Sequence, residues 1–231
     1  MKRLVFISFL FSLVFLSSCS KSKFDMTKRP DAFGSILRMT DMEYRARDRF
    51  GEIKKSSFIR GSSYEYDQQG RVVIESSYVS DGGIGETHLY EYDKRGHLQK
   101  EITSIASKDD IIYTVKESGN SREYLEKDKT IIKETINNQI VSQFVDGTYV
   151  GRWVYDQRGR FVLNEDTEGD ILEFYYDDKG LCLSRITYQG DSIEWEYRLT
   201  EFDECGNWTK AYAYQEGKIV AVRERKIIYW N

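Results

Sequence analysis

Tyr64-Glu-Tyr66-Asp67-Gln-Gln-Gly70-Arg-Val72 sets the pattern for the whole chain. The phrase runs aromatic, variable, aromatic, Asp, two polar residues, Gly, variable, apolar. It returns as Tyr90-Glu-Tyr92-Asp93-Lys-Arg-Gly96-His-Leu98 and as Trp153-Val-Tyr155-Asp156-Gln-Arg-Gly159-Arg-Phe161. Phe174-Tyr-Tyr176-Asp177-Asp-Lys-Gly180-Leu-Cys182 is a fourth copy and Thr200-Glu-Phe202-Asp203-Glu-Cys-Gly206-Asn-Trp208 a fifth. A phrase repeated every ~20 to 26 residues marks an array of one supersecondary unit.

Asp at the first corner of a tight turn accepts a hydrogen bond from the amide two residues on, and Gly three residues later supplies a left-handed backbone. The economical match is a type I turn followed by a Gly bulge, the usual three-residue hairpin connection. In that register the aromatic before Asp faces the residue two after Gly. The expected pairs are Tyr66 with Val72, Tyr92 with Leu98, Tyr155 with Phe161, Tyr176 with Cys182 and Phe202 with Trp208. Each such pair contributes about 0.2–1 kcal/mol.

The first aromatic of each phrase lies two residues earlier and shares that face, which is expected to be the core. Glu65, Glu91, Glu201, Arg71, His97, Arg160 and Asn207 fall on the other, wet face of an antiparallel sheet with one buried side. Val154 and Tyr175 break the pattern, marking either a covered patch or an exposed aromatic surface.

Degraded copies fill the gaps at Tyr113–Gly119 and at Asp48-Arg-Phe-Gly51, and Ile131 to Phe144 reads as strand, turn, strand around Asn137-Asn138. The links between units carry turn residues of their own, such as Ser80-Asp-Gly-Gly83 and Gln189-Gly190-Asp191. The fold class is therefore all-β: an antiparallel meander of repeated β-hairpins, roughly 14–16 strands, too many for a flat open sheet. A curled single sheet, barrel-like or half-open, is expected. Asp31 to Asp41 reads as a short helix or loop, and Ile227-Ile-Tyr229-Trp230 as half a unit whose strand pairs with a neighbour.

Lys2 and Arg3, an apolar run from Leu4 to Leu16 and then Leu16-Ser-Ser-Cys19 form a secretory leader, too short for a spanning helix. The tetrapeptide resembles the lipobox of bacterial lipoproteins, which implies lipidation of Cys19 and a membrane anchored to, not spanned. The expected organisation is a signal peptide over 1–18, a lipidated Cys and polar tether over 19–40, and the repeat domain over 41–231. Ser20 beside the Cys implies, by the same resemblance, the outer membrane, facing the periplasm, with the cell surface as the alternative.

The chain has 34 basic and 38 acidic residues and a net charge of -4, which excludes a basic nucleic-acid binder. A transmembrane β-barrel is disfavoured because the face meeting lipid would carry Glu65, Arg71, Glu91 and Glu201. Cys182 and Cys205 occupy different places in their phrases, which disfavours a bridge in a compartment that would permit one.

Chemistry-bearing patterns are sparse. His88 and His97 read as surface residues, and no nucleophile elbow surrounds them. Asp109-Asp110 and Asp177-Asp178 are the carboxylate pairs a glycan hydrolase would need, although Asp177 already has a turn to hold. Asn164 to Ile171 resembles a calcium loop, but Tyr175 stands where the bidentate Glu belongs, so a hairpin turn is the better reading. No cofactor or metal is implied.

The five phrases resemble the YD repeats of the RHS family, whose large members build a β-sheet shell around a toxin. The likeness covers Asp48 to Trp230. The chain departs from that design in being short, in having Pro30 as its only proline and in having no toxin region after the array. The resemblance implies a small lipid-anchored repeat protein used as a scaffold. The first functional expectation is a non-catalytic envelope module binding a glycan or an envelope protein, with Tyr175 and Trp153 as candidate contacts. A glycan hydrolase or an inhibitor of another protein is the alternative.

Overall fold

A computed structural model describes residues 32–106 and 108–231. The lipidation and leader readings at Cys19 lie outside them. Sixteen antiparallel strands follow one another: β1 (Ile36–Arg49), β2 (Glu52–Tyr66), β3 (Val72–Tyr78), β4 (Ile84–Tyr92) and β5 (Leu98–Ile105). Then come β6 (Ile111–Ser118), β7 (Ser121–Glu126), β8 (Lys129–Asn137), β9 (Ile140–Val145), β10 (Thr148–Tyr155) and β11 (Phe161–Asp166). The last are β12 (Ile171–Tyr176), β13 (Leu181–Tyr188), β14 (Asp191–Phe202), β15 (Trp208–Gln215) and β16 (Lys218–Tyr229). Every strand pairs with its sequence neighbours, and β16 pairs with β1, so the sheet closes into a barrel. Closure removes the long unpaired edges an open sheet of this size would expose.

The phrases fold as their chemistry dictates. Asp67 Oδ1 accepts from the amides of Gln69 and Arg71, and the Asp67 amide donates to the Arg71 carbonyl at 2.9 Å. Asp93, Asp156 and Asp203 repeat the arrangement, and Gly70, Gly96, Gly159 and Gly206 all have φ between 76° and 88°. Four expected cross-strand pairs form: Tyr66 with Val72, Tyr92 with Leu98, Tyr155 with Phe161 and Phe202 with Trp208.

The fourth phrase differs. Tyr176 faces Leu181, not Cys182, because Asp177 donates to the carbonyl of Gly180 and the loop is one residue shorter. The other phrases follow Gly with a polar residue, whereas this one follows it with Leu. The shorter loop buries Leu181 to 8 % exposure, and burying a leucine is favourable by about 1.5–3 kcal/mol. Beyond the bulge the register of β13 is shifted with it.

Three further expectations are corrected. Residues 36–40 are strand, since β1 starts at Ile36 and its Met39 is fully buried. The degraded phrase at Tyr113 loses its turn: β6 runs through Lys116 and bends only at Gly119-Asn120. Asn207 is 2 % exposed and sits on no wet face. The expected half-unit at the C-terminus does pair, with β1 on one side and β15 on the other.

One face of the sheet holds Met39, Tyr64, Tyr66, Leu98, Val115, Tyr124, Val141, Tyr197 and Trp208, all buried. The other carries cross-strand ion pairs, among them Arg152–Glu165, Lys100–Glu91, Lys133–Glu123 and Lys210–Glu201. A lipid-facing wall must be apolar across its middle. This outer wall is built for water.

Adjacent phrases are also stitched together. Arg71 is paired to Asp67 and its guanidinium lies 4.5 Å from the centre of the Tyr92 ring in the next hairpin. Arg160 repeats this with Asp156 and Tyr176, again at 4.5 Å.

An even strand count puts the start of β1, the end of β16 and all five phrase turns on one rim. The connecting turns at Phe50-Gly51, Ser80–Gly83, Lys127-Asp128, Asp146-Gly147 and Glu216-Gly217 form the other rim.

Candidate binding surfaces

The bulge after each phrase turn decides which side chains reach the inner wall. Tyr66 faces Val72 while Glu65 faces Ile74, so one residue of β3 is extra and the alternation reverses beyond it. Glu75 and Glu101, which an unbroken period of two would turn outward, therefore point in. They meet Tyr64, His88, Tyr90 and Tyr113 across the ladders.

His88 Nδ1 lies 2.8 Å from Glu101 Oε1, and its Nε2 lies 3.4 Å from Glu86. Thr103 donates to the same Glu101 oxygen at 3.2 Å. The hydrogen bond to Glu101 outweighs burial and raises the His88 pKa above the usual imidazole value. The Tyr90 hydroxyl reaches Glu75 at 3.5 Å, and burial together with Glu75 and Glu101 pushes its pKa well above the ordinary phenol range. This hydroxyl is a donor at any physiological pH.

Farther round, Arg122 has a side chain only 9 % exposed and donates from Nε and Nη2 to Glu117 at 2.9 and 2.7 Å. Glu134, paired with Arg122 at 3.6 Å, also accepts from Tyr124 at 3.4 Å and Gln143 at 3.3 Å. Burial pushes the Glu134 pKa up while Arg122 pulls it back. At the seam Arg225 grips Asp41 with two bonds of 2.7 and 2.8 Å and stacks 4.0 Å from the Trp208 ring. Asp41, Glu43, Arg60, Ser62 and Arg223 line a cavity of about 200 Å³ beside it.

These inner groups hold one another, and among the described residues no cluster of three or more His, Cys, Asp or Glu is arranged to hold a metal ion. Asn164 to Ile171 is a turn, with Asp166 Oδ1 accepting from the amides of Glu168 and Asp170. The carboxylate pairs singled out in the sequence sit in turns, Asp109-Asp110 on one rim and Asp177-Asp178 on the other, the latter lining an open surface pocket with Asp156, Arg158, Arg160 and Tyr176.

Tyr175 and Trp153 are not brought together. Trp153 shares the inner face with Tyr155, which packs on Phe161 and through it on Phe174. Tyr175 stands on the outer wall, 41 % exposed, donating to Glu173 at 3.1 Å, with Arg185 over its ring at 5.8 Å. Strand register aligns Tyr175, Leu183, Glu196 and Tyr214 in one outer row. Arg198, bonded to Glu196 at 2.8 Å, covers the Tyr214 ring at 4.1 Å. Val154 faces outward too, against Leu163 and Ile140. The outer wall from β12 to β15 thus carries two tyrosine faces flanked by carboxylates and guanidinium groups. Planar rings beside paired donors and acceptors suit a sugar, whose C–H faces stack while its hydroxyls bond.

No family model matches the chain, and neither does any curated protein. Among solved structures, a porin-like protein from Bacteroides uniformis is similar at a TM-score of 0.48 and 11 % identity, covering 87 % of this chain and 100 % of that one. A porin-like protein from Bacteroides vulgatus gives a TM-score of 0.31 at 10 % identity, covering 86 % and 99 %. The TcdB2-TccC3-TEV structure gives 0.24 at 11 % identity over 78 % of this chain, which spans only 11 % of that one. The barrel rests on the strand pairing above and not on these likenesses.

Proposed function

We propose that this chain is a lipid-anchored, non-catalytic barrel of the bacterial cell envelope, built from YD-type repeats, that binds glycan on its outer wall. The observation that carries the reading is the row from Tyr175 to Tyr214: partly exposed rings neighboured by Arg185 and Arg198 among Glu173 and Glu196. The ion-paired exterior supports a barrel standing in water, and the lipobox at Cys19 supports its attachment. An anchor there holds the rim bearing the phrase turns toward the membrane, periplasm-facing on the outer membrane, and presents the opposite rim away from it. The membrane and a glycan or envelope protein are the partners; no nucleic acid is among them.

The test is glycan-array binding by the purified mature protein, repeated with Tyr175→Ala. Binding that falls at least tenfold in the variant supports the reading. Binding to no glycan, or binding indifferent to Tyr175, overturns it.

A further inference from the structure

β1 and β2 outrun the barrel. The pairing of β1 with β16 ends at Arg45 and Ala221, and that of β2 with β3 ends at Gly61 and Tyr78. Beyond these points the ladder of residues 46–55 is closed on itself, from Ala46 with Lys55 to Arg49 with Glu52. β2 runs nine residues, roughly 30 Å of extended chain, past its last partner on β3, with Phe58 and Arg60 still facing Tyr44 and Glu43 of the barrel.

A two-stranded ribbon without further cover is marginally stable in water. This arm is moreover capped by a side chain that water disfavours: Phe50 is fully exposed at the tip, with φ of 59° in the left-handed region that non-glycine residues avoid. Ile53, beside it, is 39 % exposed.

The arm's charge runs against that of the rim it leaves. Arg47, Arg49 and Lys54 stand against Asp48 and Glu52 at the tip, while Lys55 and Arg60 nearer the barrel are paired with Glu224 and Glu43. The other turns of the same rim hold eight carboxylates, from Asp81 through Asp109, Asp110 and Asp128 to Glu216, against Lys108 and Lys127. Exposed apolar side chains, Val79, Ile84, Tyr188 and Ile193, lie among those acids.

Each chain therefore carries both halves of one contact: a basic, apolar-tipped arm and an acidic rim with apolar footholds. We propose that the arm docks on the rim of a second copy of this chain, two arms being exchanged about a two-fold axis. Isologous pairing makes the patch self-complementary, and two arms with the rims they cover supply the ~20–30 residues per side of a standard interface. An anionic membrane is the poorer occupant, because the surrounding rim would repel it. The inference does not depend on lipidation or on glycan binding.

Sedimentation of the mature chain carrying Cys19→Ser, which removes acyl groups from the measurement, tests the pairing. A dimer whose dissociation constant weakens at least tenfold between 50 and 500 mM salt is expected (the Debye length shortens about threefold per decade of salt). Arg47→Glu with Arg49→Glu, and separately Asp109→Lys with Asp110→Lys, are each expected to sediment as monomers with unchanged circular dichroism. Mixed together, the two variants are expected to form a heterodimer, since reversed arm then meets reversed rim. A wild-type chain that stays monomeric at 100 µM (roughly a hundred times a micromolar constant), a dimer that survives both reversals, or monomers that instead bind anionic vesicles through the arm would each overturn the proposal.

Discussion

The side-chain amide of Asn207 is bonded at both ends to the backbone of Phe33, a residue 174 positions away: Oδ1 accepts from the Phe33 amide at 2.6 Å and Nδ2 donates to its carbonyl at 2.8 Å. The same Nδ2 donates to the Tyr229 hydroxyl at 2.8 Å, and that hydroxyl in turn donates to Asp203. One side chain ties the entering segment, the last strand and the fifth phrase turn together.

Asn207→Ala should leave Phe33 and Tyr229 short of partners and destabilise the protein by about 1–3 kcal/mol. Limited proteolysis would show cleavage appearing ahead of Ile36 before the barrel is cut. An unchanged cleavage pattern and melting temperature would deny the latch.

Gly96 and Gly159 have φ of 88° and 78°, so Gly96→Val and Gly159→Val force a β-branched residue into a strained backbone. Each should lower stability by about 1–3 kcal/mol in denaturant titrations. At Gly96 a new Cβ also comes within 3.1 Å of the Arg71 guanidinium, and the Arg71 stack on Tyr92 should loosen with it.

Arg122→Met is expected to cost about 3–5 kcal/mol, because it leaves buried Glu134 and half-buried Glu117 without their shared cation. The triple change adding Glu117→Gln and Glu134→Gln should recover much of that loss in the same thermal melts. No recovery would mean that the packing of Arg122 matters more than its charge.

His88 predicts a pH dependence. Its folded pKa is raised by Glu101, with Glu86 and Glu75 adding to the effect against burial, so the charged imidazole stabilises the fold. That contribution is complete below the unfolded value of about 6.5 and is lost as pH climbs through the higher folded value. The melting temperature should therefore rise between pH 8 and pH 6, and His88→Gln should flatten the rise. Equal slopes in the two proteins would contradict the assignment.

The hairpins were legible because their instructions are local. Asp67 and Gly70 sit three residues apart, and no distant group alters what they ask of the backbone. The register of the fourth phrase was missed because Leu181 competes with Cys182 for one inward place, and only the burial available inside settles that competition. Closure was open from sequence alone, since it depends on Asp41 meeting Arg225 across 184 residues. The inner cluster of Glu75, His88 and Glu101 was hidden by the bulges, which reverse the facing of every residue after them. The inward-facing Arg122 and Glu134 lie where the phrase fades, and nothing nearby flags them. The outward turn of Tyr175, by contrast, was visible as a break in the alternation.

The seam between β1 and β16 joins the first strand to the last, Ile36 to Tyr229. During synthesis or export, then, the earliest strand must wait for the final dozen residues before its flank is satisfied. A chain stalled short of Lys218 would offer two naked ribbons to its neighbours, a hazard that a chaperone escort would blunt. Assembly of this cylinder is a race between zipping shut and sticking together.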